Sequence, residues 1–338
     1  MISNLFNLRT RDLPPGSKYY YSRLIGDQKL IYERLSSGII DISNKIKMPM
    51  RPINELSMLF QYILLDNPML FYTKTFSQSN DMYKSSSIII PDYNMPRQSI
   101  MEYTENIYNH LKNFDSHKTN KSDYEKVIYV HDYFLNIFKY DFNFNPYSFT
   151  VLGLVLNNTG VCEGIAKYAK LIFDYIGIKS LIVLGKAKNP AFEDKMENHA
   201  WNIVKVDGNS YHLDITFDMT IKDKNNRYDY FLINDEDIKK DHIITDKVPA
   251  CTSRGKDYYS INKMTVNNMS ELDLYIKKAI TQGNKNIVVK IMNVKFSDSI
   301  VNNIVNNAQR HYVNIVKKSV STSISYNLTQ MIFEINFK

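Results

Sequence analysis

Asp207-Gly208 stands between two runs that alternate apolar and polar residues, His199–Val206 and Tyr211–Asp218. Asp-Gly suits the two-residue type I′ hairpin loop, because both loop positions need positive φ. The spacing therefore predicts a hairpin in which Val206 pairs with Asn209, Trp201 with Asp214, and His199 with Thr216. One face would carry Ala200, Asn202, Val204 and Val206 beside Tyr211, Leu213, Ile215 and Phe217, a nearly pure apolar set suited to a core. His199, Trp201 and Asp214 would lie on the opposite face, with His199 and Asp214 as diagonal neighbours. A one-residue slip would drive Asp214 into the core, so the pattern specifies its own register.

Cys162 has a helical context. It follows Gly160-Val161 and opens the run Cys162-Glu163-Gly164-Ile165-Ala166-Lys167-Tyr168-Ala169-Lys170-Leu171-Ile172-Phe173, which continues to Ile176 with Gly177 placed as a C-terminal cap. Ile165, Tyr168 or Ala169, Ile172 and Ile176 keep helical spacing, while Gly164, Ala166 and Ala169 permit close packing. A thiol at such a helix start lies in the field of unpaired N–H groups, which favours thiolate. Alone, Cys162 reads as a small buried residue, the usual state of a free Cys. The His–Asp hairpin downstream turns the reading towards a nucleophile, its base, and the group that orients the base.

Three blocks together resemble the bacterial transglutaminase-like core: Gly-Val-Cys-Glu-Gly-Ile-Ala (160–166), Asn-His-Ala-Trp-Asn-Ile-Val (198–204) and Tyr-His-Leu-Asp-Ile-Thr-Phe-Asp (211–218). Arg-Tyr-Asp-Tyr-Phe-Leu-Ile (227–233) is similar to the family's next strand, and the resemblance covers about residues 120–245. It implies a papain-related α+β fold, in which a helix bearing the Cys packs on an antiparallel sheet bearing the His and Asp. Cys162 would be the nucleophile, His199 the general base and acid, and Asp214 the orienter. The resemblance leaves the reaction open among cross-linking, peptide hydrolysis, amide hydrolysis and a fold that has lost catalysis. Members often offer an aromatic or amide donor upstream of the Cys to help its N–H hold the oxyanion. Here the single Trp, Trp201, comes after the nucleophile, leaving Tyr147, Asn157 and Asn158 as the upstream candidates.

At 338 residues the chain has room for two or three domains. Its net charge of +7, from 42 Lys/Arg against 35 Asp/Glu, is spread without long basic runs, so nucleic-acid binding is not indicated. Two cysteines, Cys162 and Cys251, make no disulfide framework, and no paired Cys/His spacing suits zinc. No metal or other cofactor is expected. The N-terminus lacks a charged start, an apolar run and a cleavage site. Apolar stretches such as Met69–Phe71 and Ile287–Met292 are too short to cross a bilayer. These features lead to the expectation of a soluble cytoplasmic protein without a transmembrane segment.

Along the chain we expect three parts: a mainly helical region with short strands over 1–118, the catalytic core over 119–248, and a small α+β domain over 249–338. Pro14-Pro15-Gly16 reads as an arm or turn. Helices are predicted over Ser22–Ile42, Asn54–Leu65 and Ser99–Phe114, and strands over Met69–Phe76 and Ser87–Ile90 around a polar loop, Ser77–Ser85. Ser122-Asp123-Tyr124-Glu125 is a capping-box pattern opening the core. After Pro249 the order is β-α-β-α-β-β, with strands over Tyr258–Val266, Ile287–Met292, Ser319–Tyr326 and Met331–Phe337. The helices between them cover Ser270–Ile280, with Ser270 and Asp273 at capping spacing, and Ser297–His311. Such an appendage is often a binding or assembly module, and a protein partner would meet the chain there.

The favoured chemistry is thiol acyl transfer or hydrolysis at an amide of a peptide or protein, with hydrolysis preferred over cross-linking. Trp201 would shield the His199–Asp214 contact, and Glu163 either shapes the entrance or is an acidic first-turn residue. His131 reads as a hydrogen-bonded core residue. His212 is a rim contact or half-exposed, Asp218 either binds substrate or caps a turn, and Cys251 has no assigned role. Two rivals stay open: a non-catalytic scaffold for protein–protein binding, and metal binding through His199, His212 and nearby acids.

Overall fold

The computed structural model describes residues 18–188, 195–222, 225–294, 297 and 299–338, and the Pro14-Pro15-Gly16 arm lies outside these. In chain order the strands are β1 (Ile46–Pro49), β2 (Thr73–Asp81), β3 (Ser86–Tyr93), β4 (Lys139–Tyr140), β5 (Thr159–Gly160), β6 (Ser180–Ala187) and β7 (Glu197–Val206). They continue as β8 (Asn209–Leu213), β9 (Phe231–Ile233), β10 (His242–Ile244), β11 (Thr265–Val266), β12 (Asn286–Ile291), β13 (Thr322–Asn327) and β14 (Ile332–Phe337). An antiparallel sheet in the order β10-β6-β7-β8-β9 forms the centre. The helix Cys162–Tyr175 packs on one face of it, tied by the Asn202 side-chain amide, which donates to the Ala166 carbonyl at 3.0 Å.

The predicted hairpin holds for its inner half. Val206 pairs with Asn209, Val204 with Tyr211, and Asn202 with Leu213. Asp207 and Gly208 take φ of 49° and 85°, the two positive values that a type I′ loop demands. The outer half differs: β8 stops at Leu213, and Ile215–Thr220 is helical. Asp214 is the cause, because its Oδ1 accepts a hydrogen bond from the Phe217 N–H at 3.1 Å and so caps the new helix. Trp201 and His199 therefore lack β8 partners at Asp214 and Thr216, and pair only on the other edge of β7, with Val183 and Gly185 of β6. The face opposite the Cys162 helix is also covered: Trp201, Ile203 and Phe217 sit in a second apolar cluster with Leu181, Val183 and Tyr230. The sheet is therefore buried on both sides.

Helices Asp27–Ile40, Ile53–Asp66 and Arg97–Leu111 form close to their predicted positions, and Ser122 with Glu125 completes the capping box on helix Asp123–Ile137. The polar run after Phe76 is not a loop: Ser77–Asp81 extends β2 as an edge strand on β3, where polar side chains face water. These N-terminal helices share one apolar cluster with the Cys162 helix and Val204–Leu213, so the boundary at 118 falls inside a continuous core. The C-terminal sheet, in the order β11-β12-β14-β13, has a separate cluster built on helices Met269–Thr281 and Ile300–Val316. We propose the stretch after 248 as the domain boundary. Within the C-terminal part Tyr258–Val266 divides into a helix, Tyr258–Ile261, capped by Asp257, and the short β11. Asn268, not Ser270, caps the next helix by accepting from the Glu271 N–H.

One close approach fixes the start of the Cys162 helix. A Cβ on Gly164 would fall 2.1 Å from the Ser148 carbonyl oxygen, which is backbone and has little room to give. That same oxygen accepts from the Val161 N–H at 3.0 Å. Gly164→Ala is expected to destabilise the fold by about 3 kcal/mol, read as a lowered urea midpoint. An unchanged midpoint would mean that the helix start is not clamped in this way.

Candidate active site

Cys162 begins its helix behind Val161, which has no side-chain oxygen to cap the first-turn N–H groups. The thiol is half-buried and close enough to His199 to act on the charge of its ring. His199 Nε2 lies 2.7 Å from Asp214 Oδ2, so Nδ1 is the ring nitrogen left for the thiol. The imidazole side chain is 8% exposed and the carboxylate is fully buried. Burial alone would lower the His199 pKa, but the charge and hydrogen bond of Asp214, followed by Cys162, raise it to about 10. Asp214 is pushed the other way. Burial would raise it, yet His199 and then His242 hold it well below the usual carboxylate range.

Trp201 lies beside His199 and also makes a polar contact that the sequence reading did not include. Its ring stacks near His199 at 5.9 Å between centroids, but its N–H donates to His212 Nδ1 at 3.0 Å. His212 is fully buried, neither at the rim nor half-exposed, and its Nε2 faces Asp235 Oδ1 at 2.9 Å. Burial outweighs Asp235 and lowers the His212 pKa to about 4, consistent with a neutral ring that accepts from the indole. The unfolded chain would bind this proton near pH 6.5. Stability should therefore fall by about 3 kcal/mol as pH drops from 6.5 to 4, the opposite sense to His199. Urea titrations of wild type and His212→Asn over that range check it; parallel curves would remove His212 as the source.

His131 and Asp218 form a separate buried pair, Nε2 to Oδ2 at 2.9 Å. Asp218 also accepts from the Tyr230 N–H, so it is neither at a solvated turn nor open to substrate. Burial raises its pKa to about 7 against the pull of His131. Thr216 is buried on the short helix after Asp214. Cys251 is buried beside Asp235, and burial pushes its thiol up to about 12.

The upstream donor candidates are all exposed. Tyr147 is 40% exposed and rests edge-on against Tyr103. Asn158 ends helix Val151–Asn157 in a left-handed conformation, and both Asn157 and Asn158 are exposed. Tyr140, not singled out from the sequence, is nearer the chemistry. β4 runs parallel to β5, pairing Tyr140 with Gly160. Burial, then the charges of Cys162, Glu197 and Asp214, push its phenol pKa up, so it keeps its proton as a donor. Asp141 fixes the turn that follows by accepting from the Asn143 and Asn145 N–H groups and the Ser148 hydroxyl.

His242 was also missed. Its Nε2 lies 3.0 Å from Asp214 Oδ2, the oxygen that His199 uses. It arrives on β10, which pairs with the edge of β6 far back along the chain, and no local pattern around His242 announces that pairing. His199, Asp214 and His242 place ligand atoms close enough for an ion, as do His212, Asp235 and Cys251; His199 and His212 are not in one set. In the first set the imidazoles and the carboxylate already satisfy one another. Beside Glu163 a cleft of about 680 Å³ opens, bordered by Gln61, Met58, Lys74, Phe76 and Lys167. Glu163 pairs with Lys167 one turn along the helix.

A thiol at a helix start, near an imidazole that a buried carboxylate holds at the edge of an antiparallel sheet, is an arrangement suited to cysteine-type chemistry. Residues 112–215 match the family model Transglut_core, the transglutaminase-like superfamily, so the chain carries a domain of that superfamily, whose members are in general cysteine-type enzymes. Solved structures that align with it include one described as a TGase, 16% identical, over 54% of this chain and 53% of that one, with a TM-score of 0.31. Another, named as a candidate cysteine protease of Cytophaga hutchinsonii, is 12% identical over 42% of this chain and 61% of that one, with a TM-score of 0.28. The chain thus spans little more than half the length of either. No curated protein matches it. Among the described residues no helix is long and apolar enough to cross a membrane.

Proposed function

We propose that the protein is a cysteine-dependent acyl transferase or hydrolase acting on peptide or protein amides, with hydrolysis favoured. The observation that carries this reading is the 2.7 Å contact between His199 and the buried Asp214, with the Cys162 thiol near enough to act on the same ring. In this mechanism the Cys162 sulfur attacks the amide carbonyl carbon, and the carbonyl electrons move onto oxygen. The Cys162 N–H and the Tyr140 phenol are the proposed oxyanion donors. The C–N bond then breaks, with the proton passing from His199 to the leaving amine and a thioester remaining on Cys162. His199 next takes a proton from water, the hydroxide adds to the thioester, and the C–S bond breaks to release a carboxylic acid and the thiol. An amine in place of water would give cross-linking by the same steps.

Asp214 holds the His199 tautomer and supports its positive charge throughout. Glu163, Lys167 and the cleft beside them would receive the acyl donor. The direct test is incubation with a peptide library and intact-mass detection of a thioester adduct on Cys162, with and without a primary amine. Adducts that resolve to free acid support hydrolysis, and adducts that resolve to the amide support cross-linking. No adduct from any donor, with a thiol that alkylates as an ordinary cysteine, would overturn the enzyme reading.

A further inference from the structure

Resting on the triad reading, we infer that His242 is a positioning residue for Cys162 and His199, and that a buried hydrogen-bond chain ties it to the C-terminal sheet. His242 lies outside the segment that matches the family model. Its two ring nitrogens face two carboxylates: Nε2 meets Asp214 Oδ2 at 3.0 Å and Nδ1 meets Asp241 Oδ1 at 2.6 Å. Filling both contacts requires hydrogen on both nitrogens, or one proton held on a carboxyl. The chain then continues outward. Tyr230 donates its hydroxyl to Asp241 Oδ2 at 2.5 Å, and the Asn327 side-chain amide donates to the Tyr230 oxygen at 3.3 Å. Asn327 is the last residue of β13, so the path ends on the C-terminal sheet.

Every link is buried: His242 and Tyr230 fully or nearly so, Asp241 at 7% and Asn327 at 7% exposure. Phe217 and Trp201 pack against the His242 ring at 4.5 Å and 5.0 Å between centroids. The consequence for Asp214 is geometric. Its Oδ1 is held by the Phe217 N–H and its Oδ2 by two imidazoles, so the carboxylate has no freedom to rotate away from His199. Removing His242 would leave Asp214 Oδ2 with a single partner in a site closed to water, and the His199 ring less firmly aimed.

The titratable groups that face His242 are Asp214, Asp241, His199, Tyr230 and, through space, His212. The test is iodoacetamide labelling of Cys162 in the full chain from pH 5 to 10, read by intact mass, for wild type, His199→Ala, His242→Phe, His242→Gln and Tyr230→Phe. His242→Phe should slow labelling at pH 6 about tenfold and move the profile up by about one pH unit. His242→Gln, which keeps an N–H donor towards Asp214, should recover most of the rate. Tyr230→Phe removes one oxygen, keeps the fold testable if the ring replacement does not fold, and should shift the profile in the same direction. A Tyr230→Phe or His242→Phe profile that superimposes on wild type, or a glutamine variant no faster than phenylalanine, overturns the inference. If wild type itself labels no faster than His199→Ala, the triad reading has failed and this inference falls with it, which separates the two failures.

Discussion

Cys162→Ala is expected to abolish thioester formation and lower amide turnover by about 10⁴-fold or more, leaving the fold within about 1 kcal/mol of wild type. The size of the effect follows from the mechanism, since no other group can carry the acyl intermediate. Cys251 is no substitute: it is buried, and its thiol is pushed up to about 12. The small cost in stability follows from position. Cys162 is half-buried at the helix start, and the residues that pack the helix onto the sheet, among them Ile165, Ala169 and Ile172, lie further along it. Intact-mass labelling and urea unfolding on the same preparation separate the two quantities. Turnover retained in the variant would place the nucleophile elsewhere.

Asp214→Asn should cost about 10³- to 10⁴-fold in turnover, although both the nucleophile and its base stay in place. The carboxylate supplies the charge that overcomes the burial of His199 and raises it to about 10. An amide keeps the shape and loses the charge. The His199 pKa should then fall, so that the ring is neutral at pH 7 and the thiol is no longer paired with a cation. The sign of the linkage is fixed by that shift. The folded pKa exceeds the unfolded value of about 6.5. The His199 contribution to stability is therefore complete below pH 6.5 and fades as pH rises through about 10. In Asp214→Asn the decline between those values should largely disappear. A wild-type stability curve that is flat from pH 7 to 10, or an Asn variant with full turnover, would show that the carboxylate does not support the ring.

Much of this site was legible because its residues announce themselves locally. Gly160-Val161-Cys162 followed by an apolar period marks a helix start, and Asp207-Gly208 specifies the loop that brings His199 near Asp214. The residues after Leu213 misled for a definite reason. Leu213, Ile215 and Phe217 alternate as a strand would, but the Asp214 carboxylate can satisfy a helix N-terminus, and that option won. The His199–Asp214 contact survived because the cap sits where the strand would have passed. Phe217 instead joined the Trp201 cluster, away from Leu213 and Ile215. Tyr140 and His242 carry no such local sign. Each reaches the site through pairing with a distant segment, β4 on β5 and β10 on β6, whose partners the periodicity of a single stretch does not encode.

Trp201 is the only tryptophan in the chain, and its indole lies between His199 and His212. The protein thus has a built-in optical reporter which, besides His242 at 5.0 Å, has as neighbours two imidazoles of opposite behaviour, one held charged and the other held neutral near pH 7. Because a protonated imidazole quenches indole emission, the fluorescence of the unlabelled protein should dim on acidification as His212 gains its proton. It should brighten on the alkaline side as His199 gives its proton up. Two inflections in one emission trace would follow both rings at once, without a substrate in hand.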